Sequence, residues 1–433
     1  MSAVRAGRGG DRLGRMDTRT FVIAGASLAG AKAAETLREE GFAGKVVLIG
    51  SEAELPYERP PLSKGYLLGN DPRESAQVQP ADWYKAQDVS LMLGRTVTAV
   101  DRSAHSVSLD DGSTVAYDKL LLATGSRVRR LDVAGSENSG IFYLRTLSDS
   151  DALKAALRPG RQVVVVGAGW IGLETAAAAR HHGCEVTVVE VERLPLRRVL
   201  GDEIASVYRE LHEAHGVRFR FGVGVREFGS LDGAITDVVL EDGTEIGADV
   251  AIVGVGITPV VDLAEAAGLT VDNGIAVDEM LRTGDPDVYA CGDVAAWQSN
   301  LVGARIRVEH WGNALHGGPA AAKAMMGGSE PYDPVPYFFS DQYDLGMEYA
   351  GYVAPRGYDE VVVRGSTAVA GGKAPEFVAF WLRNGRVLAG MNANVWDVQD
   401  DIQKLVRSGY AGVAVDKERL ADPSVSLADL AGS

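Results

Sequence analysis

The amino-acid sequence predicts an α/β protein with two Rossmann-type dinucleotide-binding domains and a C-terminal domain of α+β design. Three observations lead to this prediction. A glycine-containing turn at residues 25–30 follows an apolar run and precedes a stretch rich in Ala and Leu. A second turn of the same design occupies residues 167–172, in the same context. From residue 334 onward the chain has no such turn and alternates in short apolar segments, which indicate strands.

Each turn has small residues where a bound nucleotide requires them. The first glycine permits a tight bend, the second lets the backbone approach a pyrophosphate, and the third lets the helix pack on the strand. Ser27 stands at the middle position of the first turn, between Gly25 and Gly30. The second turn is complete, with Gly167, Gly169 and Gly172. Since a helix N-terminus then faces the anion at each turn, we expect the chain to hold two dinucleotides.

An acidic residue follows the second strand of each unit, where it can accept hydrogen bonds from an adenosine ribose. Glu52 follows an apolar run in the first unit, and Glu190 does so in the second. Because Glu190 would repel a 2′-phosphate, the second site is expected to prefer NADH to NADPH. Three arginines just downstream leave the strictness of this preference open: Arg193, Arg197 and Arg198. The alternative interpretation is a pair of structural turns beside solvent-facing acids.

The order of predicted elements repeats between the two units, which indicates an internal duplication. The first unit has a hairpin signal around residues 110–112 and a strand at residues 119–123, which ends at Thr124 and Gly125. The second unit has, in the same order, a helix at residues 202–215, a hairpin around residues 242–243 and a strand at residues 250–253.

These elements divide the chain into three predicted domains. Residues 1–16 are rich in Gly and Arg and are expected to be a disordered extension, with Met16 as a second candidate start. The first dinucleotide domain is expected to use residues 17–127 and 256–332, and the second residues 128–255. A helix is predicted at residues 310–326. The third domain, residues 333–433, is predicted to contain strands at residues 360–364, 377–382 and 387–392 and a helix at residues 398–407.

Composition excludes several classes of function. The net charge of -16 argues against nucleic acid, which proteins bind mainly through Lys and Arg. No apolar run approaches the roughly 20 residues that span a bilayer, and the N-terminus lacks an apolar secretory segment. We therefore expect a cytoplasmic protein with neither a nucleic-acid nor a membrane partner.

The chain has two cysteines, Cys184 and Cys291, which lie far apart in the sequence. This spacing excludes a disulfide framework and a CxxC redox pair, so a mechanism that uses a protein dithiol is not available. Both cysteines are expected to be buried core residues. No metal site is predicted, because no second ligand stands at the required spacing from His310.

Five further motifs accompany the two turns, at residues 56–64, 123–125, 143–145, 254–256 and 289–293. In combination they make the sequence similar to the flavin-dependent NADH:ferredoxin reductases, which are akin to apoptosis-inducing factor and monodehydroascorbate reductase. The resemblance covers residues 17–433. It implies a glutathione-reductase-like fold with FAD on the first Rossmann unit, NAD on the second, and a C-terminal interface domain that covers the flavin.

The resemblance also implies the candidate catalytic residues, Lys64 and Glu174. It places Lys64 near flavin N5, ion-paired with Glu174 in the first turn of the helix after Gly172. A cation there stabilises the anionic reduced flavin, and the glutamate orients that cation until nicotinamide arrives. The alternative is a solvated lysine and an acid that the helix dipole favours.

The remaining candidate residues contact the cofactors. Asp293 is expected to meet the ribityl hydroxyls of FAD or to cap the following helix, and the N-terminus of the helix at residues 310–326 is expected to face the flavin pyrimidine edge. The FAD set is Gly25, Ser27, Ala29, Gly30, Glu52, Arg59, Lys64, Val97, Thr124, Gly125, Arg145, Asp293, Glu309, His310, Trp311 and Phe339. The NAD set is Gly167, Gly169, Trp170, Ile171, Gly172, Glu190 and Gly256.

The leading functional hypothesis is a flavoprotein oxidoreductase. It would transfer hydride from NADH to FAD and then single electrons to an iron-sulfur ferredoxin that serves a monooxygenase or dioxygenase. Phe339 stands where the resembling reductases usually have Trp, which leaves the acceptor open. The alternatives are reduction of a small acceptor, such as a quinone or a monodehydroascorbate-like radical, and an NADH-sensing interaction protein.

The expected partner raises an electrostatic problem, because an acidic ferredoxin must approach a chain of net charge -16. Two groups of arginines flank the predicted FAD segments and are candidates for a positive docking patch: Arg127, Arg129 and Arg130, and Arg305 and Arg307. Solvated arginines that offset neighbouring acids are the alternative. The sequence leaves open whether the chain is a monomer or a homodimer.

Overall fold

The computed structural model describes residues 17–354 and 357–431, so the extension predicted at residues 1–16 lies outside the described residues. The first part of the chain contains strands, helices and two 3-10 turns, which lie at Pro60–Ser63 and Arg73–Ala76. Its strands and helices are β1 (Thr20–Ala24), α1 (Leu28–Glu39), β2 (Lys45–Gly50), α2 (Gly65–Leu68), α3 (Ala81–Ala86), β3 (Val89–Leu93), β4 (Val97–Asp101), β5 (Ser106–Leu109), β6 (Thr114–Ala116), β7 (Lys119–Leu122) and β8 (Ser126–Val128).

The second part of the chain repeats this order and ends with a strand that leads back to the first. Its elements are β9 (Ile141–Phe142), α4 (Leu147–Ala156), β10 (Gln162–Val166), α5 (Trp170–His181), β11 (Glu185–Glu190), α6 (Arg197–Ala214), β12 (Arg218–Phe221), β13 (Val225–Leu231), β14 (Ala234–Leu240), β15 (Glu245–Gly247) and β16 (Val250–Val253).

A third segment follows, with a 3-10 turn at Gly292–Val294, and leads into the C-terminal part. The elements of the third segment are β17 (Ile257–Pro259), α7 (Asp262–Ala266), β18 (Ile275–Val277), β19 (Val288–Ala290), β20 (Ala295–Ser299), β21 (Ala304–Ile306) and α8 (Trp311–Met325). Those of the C-terminal part are β22 (Tyr337–Gln342), β23 (Leu345–Gly351), β24 (Glu360–Gly365), β25 (Phe377–Arg383), β26 (Arg386–Ala393), α9 (Gln399–Tyr410), α10 (Lys417–Ala421) and α11 (Leu427–Ala431).

Two parallel sheets form the cores of the first two parts. The strand orders are β19-β7-β1-β2-β3 and β12-β11-β10-β16-β9. Their central strands are buried on both faces, which is why they are continuous apolar runs in the sequence. Strand β19 comes from the third segment and pairs with β7 in parallel. Residues before and after the second sheet therefore build the first sheet together.

Each parallel sheet carries a small antiparallel sheet, β4-β5-β6 in the first part and β13-β14-β15 in the second. These sheets contain the hairpins predicted around residues 110–112 and 242–243, each with one strand more than the sequence indicated. The chain passes between the two parts through β8 and β17, which pair with each other in antiparallel orientation. This pair connects the two nucleotide-binding units.

The C-terminal part is an antiparallel sheet of order β22-β23-β26-β25-β24 with α9 packed on it. The sequence predicted three of its strands and one helix. It missed β22 and β23, because apolar and polar residues are mixed in this segment, and it missed the two short helices at the end of the chain. The sheet contacts the second part through Trp381, whose Nε1 donates to the carbonyl of Leu200 at 3.1 Å.

No helix in the described part of the chain is long and apolar enough to cross a membrane. Both cysteines are free and buried, as the sequence predicted.

Helices α1 and α8 cross at very close range, and glycine permits this crossing. A methyl group placed on Gly318 of α8 would lie 2.2 Å from the carbonyl oxygen of Ala29. The crossing holds the middle of α8 in a fixed position against the start of α1.

We expect Gly318→Ala to destabilise the protein by about 1–3 kcal/mol, because the added methyl forces the two helix backbones apart. Urea denaturation of the FAD-loaded protein measures this change. Gly284→Ala is the matched control, since a methyl there meets no described atom within 4 Å. Equal stability of the two variants would contradict the packing argument.

Candidate functional site

The first turn lies where four parallel strands end together. Gly25 follows β1, Thr124 and Gly125 follow β7, Glu52 follows β2, and Asp293 follows β19. Because these strands are parallel, their carboxyl ends meet at one edge of the sheet. This edge is the usual ligand-binding edge of an open α/β sheet.

Glycine is required at the first position of this turn. Gly25 has φ of +127°, and a methyl group on it would lie 2.1 Å from the carbonyl oxygen of Ala123. Ser27 is the N-cap of α1 and makes no capping hydrogen bond with its side chain, while Ala29 and Gly30 lie in the first turn of that helix. The backbone amides at this helix end therefore face the sheet edge without a serine cap.

The acid and the arginines of the FAD set form one connected group. Glu52 accepts a hydrogen bond of 2.5 Å from the Tyr57 hydroxyl and pairs with Arg59 at 3.0 Å. Arg59 also donates to the carbonyl of Arg145, and Arg145 pairs with Asp293 at 3.2 Å. The structure thus brings together residues that are distant in the sequence.

Two buried nitrogens of the FAD set have no hydrogen-bond partner among the described residues. They are Nε of Arg145 and Nδ1 of His310, which is the N-cap of α8. Burial lowers the pKa of Arg145 and lowers the pKa of His310 to about 4. Because a buried polar atom requires a partner, these nitrogens fit a polar cofactor such as FAD at this edge.

Lys64 lies beside the aromatic residues of the FAD set through Phe339. Nζ of Lys64 lies 5.3 Å from the centre of the Phe339 ring, and Phe339 packs edge to face with Trp311 at 5.6 Å. Trp311 is fixed by a hydrogen bond of 2.9 Å to Glu58. Val97, at the start of β4, is buried at the edge of the first core.

Lys64 and Glu174 form a buried ion pair, in agreement with the sequence prediction that they meet. Nζ of Lys64 lies 2.7 Å from Oε1 of Glu174, and the two side chains are 14% and 2% exposed. Two hydroxyls also donate to the carboxylate: Ser63 at 2.5 Å and Ser340 at 2.6 Å. Three donors therefore satisfy a carboxylate that has almost no access to water.

Sequence reasoning missed both serines. Ser63 stands next to Lys64, and Ser340 stands next to Phe339. Ser63 has no sequence signal of its own that distinguishes it from a surface residue. The signal for Ser340 was the alternation of β22, in which residues 338, 340 and 342 are buried on one face of the sheet.

The second turn has the same construction at the second sheet edge. Gly167 has φ of +98°, and a methyl on Gly172 would lie 2.0 Å from the carbonyl oxygen of Gly167. At Gly169 and Gly256 a methyl would meet no described atom within 4 Å. Gly169 therefore leaves the open space above the turn that a pyrophosphate requires.

Other members of the NAD set are held by the protein itself. Glu190 accepts hydrogen bonds from the backbone amides of Ala168 at 2.7 Å and Glu192 at 2.8 Å. Trp170 packs edge to face against Tyr208 and Phe338, whereas Ile171 is 44% exposed beside the turn.

The arginines that the sequence proposed as a docking patch make contacts within the chain. Arg305 donates to the carbonyls of Val277 and Ala296, at 2.7 and 2.6 Å. Arg307 is 10% exposed and pairs with Glu309 at 2.5 Å. Arg127 pairs with Asp262 at 2.7 Å. These contacts involve three of the five arginines, and Arg127 and Arg305 remain exposed, so the docking patch stays a prediction.

Comparison with known proteins identifies the family. Residues 19–326 match the family model of pyridine nucleotide-disulphide oxidoreductases. The chain belongs to this family. Residues 337–431 match the family model of reductase C-terminal domains. The oxidoreductase therefore has the predicted fold class and binds FAD and NAD(H), as the sequence predicted.

Relatives of this oxidoreductase cover nearly its whole length. It is 41% identical over 415 residues, 95% of its own chain and 99% of the relative, to the ferredoxin-NAD(+) reductase component of the anthranilate 1,2-dioxygenase system of Burkholderia cepacia. It is 39% identical to putidaredoxin reductase of Pseudomonas putida, over 85% of its own chain and 87% of the relative.

Two solved structures match the chain over nearly its whole length. The covalent putidaredoxin reductase-putidaredoxin complex matches with a TM-score of 0.89 and 36% identity, over 96% of this oxidoreductase and 98% of that chain. The ferredoxin reductase of Rhodopseudomonas palustris matches with a TM-score of 0.90 and 37% identity, over 96% and 100% of the two chains.

We expect Cys184→Ser together with Cys291→Ser to leave flavin reduction by NADH and electron release intact. Burial raises the pKa of the Cys291 thiol to about 12, so it stays protonated and unreactive near pH 7. Anaerobic flavin reduction and turnover with an external acceptor are the measurements. Stability can fall by about 1–3 kcal/mol, since each serine hydroxyl is buried. An inactive but folded, FAD-loaded double variant would refute the role assigned to these cysteines.

Proposed function

We propose that this oxidoreductase transfers electrons from NADH through FAD to an iron-sulfur ferredoxin that serves a monooxygenase or dioxygenase. FAD, when bound, supplies the chemistry that links a two-electron donor to a one-electron acceptor. The observation that carries the proposal is the buried Lys64-Glu174 pair beside the Phe339 ring, on which Trp311 packs. The relatives named above, several of which are called ferredoxin reductases or reductase components, support the choice of acceptor.

The proposed division of the chain follows the sheets. Residues 17–127 and 256–332 hold FAD, residues 128–255 hold NAD, and residues 333–433 form the interface domain. Strand β19 follows the second sheet in the sequence but pairs with β7 in the first sheet. This pairing supports an FAD domain that is built from two separate segments. A cytoplasmic location and the state of monomer or homodimer stay predictions of the sequence.

The residues of the FAD set have separate tasks in this proposal. Lys64 presents a positive charge beside the flavin and stabilises negative charge there, while Glu174 holds the lysine in place. Arg145 and His310 donate from their unpartnered nitrogens to polar groups of the cofactor, and Asp293 accepts from its hydroxyls. Helix α8 directs its N-terminal amides at the same region.

The residues of the NAD set favour NADH. Glu190 stands at the end of β11 and presents negative charge where an adenosine ribose is expected. The three arginines downstream are paired with acids: Arg198 and Arg197 with Glu192, at 2.9 and 3.0 Å, and Arg197 also with Asp202, at 2.6 Å. Arg193 pairs with Asp202 as well. Their charge is therefore largely offset, which disfavours binding of a 2′-phosphate.

We expect wild type to prefer NADH to NADPH and Glu190→Ala to lose this preference. The kcat/KM for NADH should fall about 10- to 100-fold, because charged hydrogen bonds to the ribose are lost. Steady-state rates with both nucleotides measure the change. Glu185→Gln is the matched control, since Glu185 begins the same strand and pairs with Arg180 and Arg218 instead of facing the second turn. A wild type that uses both nucleotides equally would show that the role given to Glu190 is wrong.

The acceptor is tested by anaerobic stopped-flow reoxidation of the NADH-reduced enzyme. We expect iron-sulfur ferredoxins from the same organism to reoxidise it at rates comparable to turnover, and quinones to do so more slowly. Faster reoxidation by quinones would favour the small-molecule alternative. Slow reoxidation by every acceptor, with a long-lived reduced complex, would favour the NADH-sensing alternative.

A further inference from the structure

We infer that Gln342 and His212 are positioning residues that hold the Glu174 carboxylate against Lys64 through the Ser340 hydroxyl. The inference rests on the proposed function, because it assigns a role to the pair at the flavin. Neither residue belongs to the FAD set or the NAD set. Both act through a chain of hydrogen bonds that is closed to solvent.

The chain begins at the carboxylate and runs away from the cofactor site. Ser340 donates to Oε1 of Glu174 at 2.6 Å, and Nε2 of Gln342 lies 3.1 Å from the Ser340 oxygen. Oε1 of Gln342 lies 2.8 Å from Nε2 of His212. The Tyr343 hydroxyl ends the chain 3.4 Å from Nδ1 of His212.

The direction of each bond follows from donor and acceptor chemistry. An amide nitrogen only donates, so the Ser340 oxygen accepts from Gln342 and directs its own hydrogen at Glu174. An amide oxygen only accepts, so Nε2 of His212 carries the imidazole proton. Nδ1 is then an acceptor for Tyr343. Every donor in the chain therefore points toward the carboxylate.

The tautomer of His212 controls this direction. If the proton were on Nδ1, the unprotonated Nε2 would be an acceptor and would require the amide nitrogen of Gln342 as its donor. The amide group of Gln342 would then rotate to exchange its oxygen and nitrogen. The amide oxygen would then face Ser340 and take its hydrogen. Glu174 would lose one of its three donors, although neither Glu174 nor Lys64 had changed.

Burial enforces a single arrangement. His212 is 0% exposed and Ser340 and Gln342 are each 1% exposed, so water cannot substitute for a missing donor. Burial also lowers the pKa of His212 to about 4, so the ring is neutral near pH 7. The groups that face this ring are Gln342, Tyr343, Phe219 and, on the same helix, His215.

The chain also joins separate parts of the molecule. His212 lies on α6 and Glu174 on α5 of the second part, Ser340 and Gln342 lie on β22 of the C-terminal part, and Lys64 belongs to the first part. A carboxylate that is fixed from three parts keeps Lys64 in one position. Loss of the chain should therefore impair the step in which the lysine acts and leave nucleotide binding unchanged.

The kinetic test uses anaerobic stopped-flow reduction of the FAD-loaded enzyme by NADH. We expect His212→Leu and Gln342→Leu each to lower the limiting rate constant about tenfold, equivalent to about 1.4 kcal/mol, with unchanged half-saturation by NADH. His212→Gln should recover most of the rate, because its amide can donate from nearly the same place. The control is His215→Leu, at the C-cap of the same helix and stacked on Tyr343, which should react as wild type does.

A second readout needs neither activity nor a variant that folds. In nitrogen-15 NMR of oxidised, NADH-free wild type, the His212 ring is told apart from His310, whose pKa is also about 4, by its contacts with Phe219 and Tyr343. It should be neutral, with its proton on Nε2 and no titration between about pH 5 and 9. A proton on Nδ1 would overturn the inference. So would leucine variants that are reduced as fast as wild type. If wild type were not reduced by NADH at all, the proposed function would fail, while the tautomer would still decide whether the chain exists.

Discussion

The structure depends on one buried carboxylate, which requires hydrogen-bond donors from several parts of the chain. Glu174 is 2% exposed in its side chain and receives hydrogen bonds from Lys64, Ser63 and Ser340. Removal of one partner from such a pair costs about 3–5 kcal/mol, because the remaining charge cannot be solvated. This cost forces the segments that carry the donors to stay together. The segment at residues 60–64, helix α5 at the second turn and the C-terminal sheet are therefore held in one fixed relation at the site where two nucleotides are expected to meet.

The two sheet edges explain why the two nucleotides are expected to meet beside Lys64 and Glu174. In both parallel sheets the glycine turn, the acid and a further glycine follow the carboxyl ends of neighbouring strands. Each edge is thus a nucleotide site in its own right. Helix α5 starts at the second turn and carries Glu174 toward Lys64 of the first part, so one helix links the two edges.

Much of the fold could be predicted, because glycine turns and buried parallel strands leave strong local signals. Gly25, Gly167 and the acids Glu52 and Glu190 stand where their spacing indicated. The buried donors could not be predicted, since Ser340, Gln342 and His212 meet only through tertiary packing and no motif contains all three. Ion pairing could not be predicted either, because a sequence does not show that Arg307 is paired with Glu309.

The central claim is that Lys64 presents its positive charge to the flavin, and the midpoint potential of bound FAD tests it most directly. The account predicts a more negative potential for Lys64→Met than for wild type, because loss of a cation destabilises the anionic reduced flavin. Lys64→Arg, which keeps the charge, should retain most of the wild-type potential. An unchanged potential in a folded, FAD-loaded Lys64→Met variant would contradict the account.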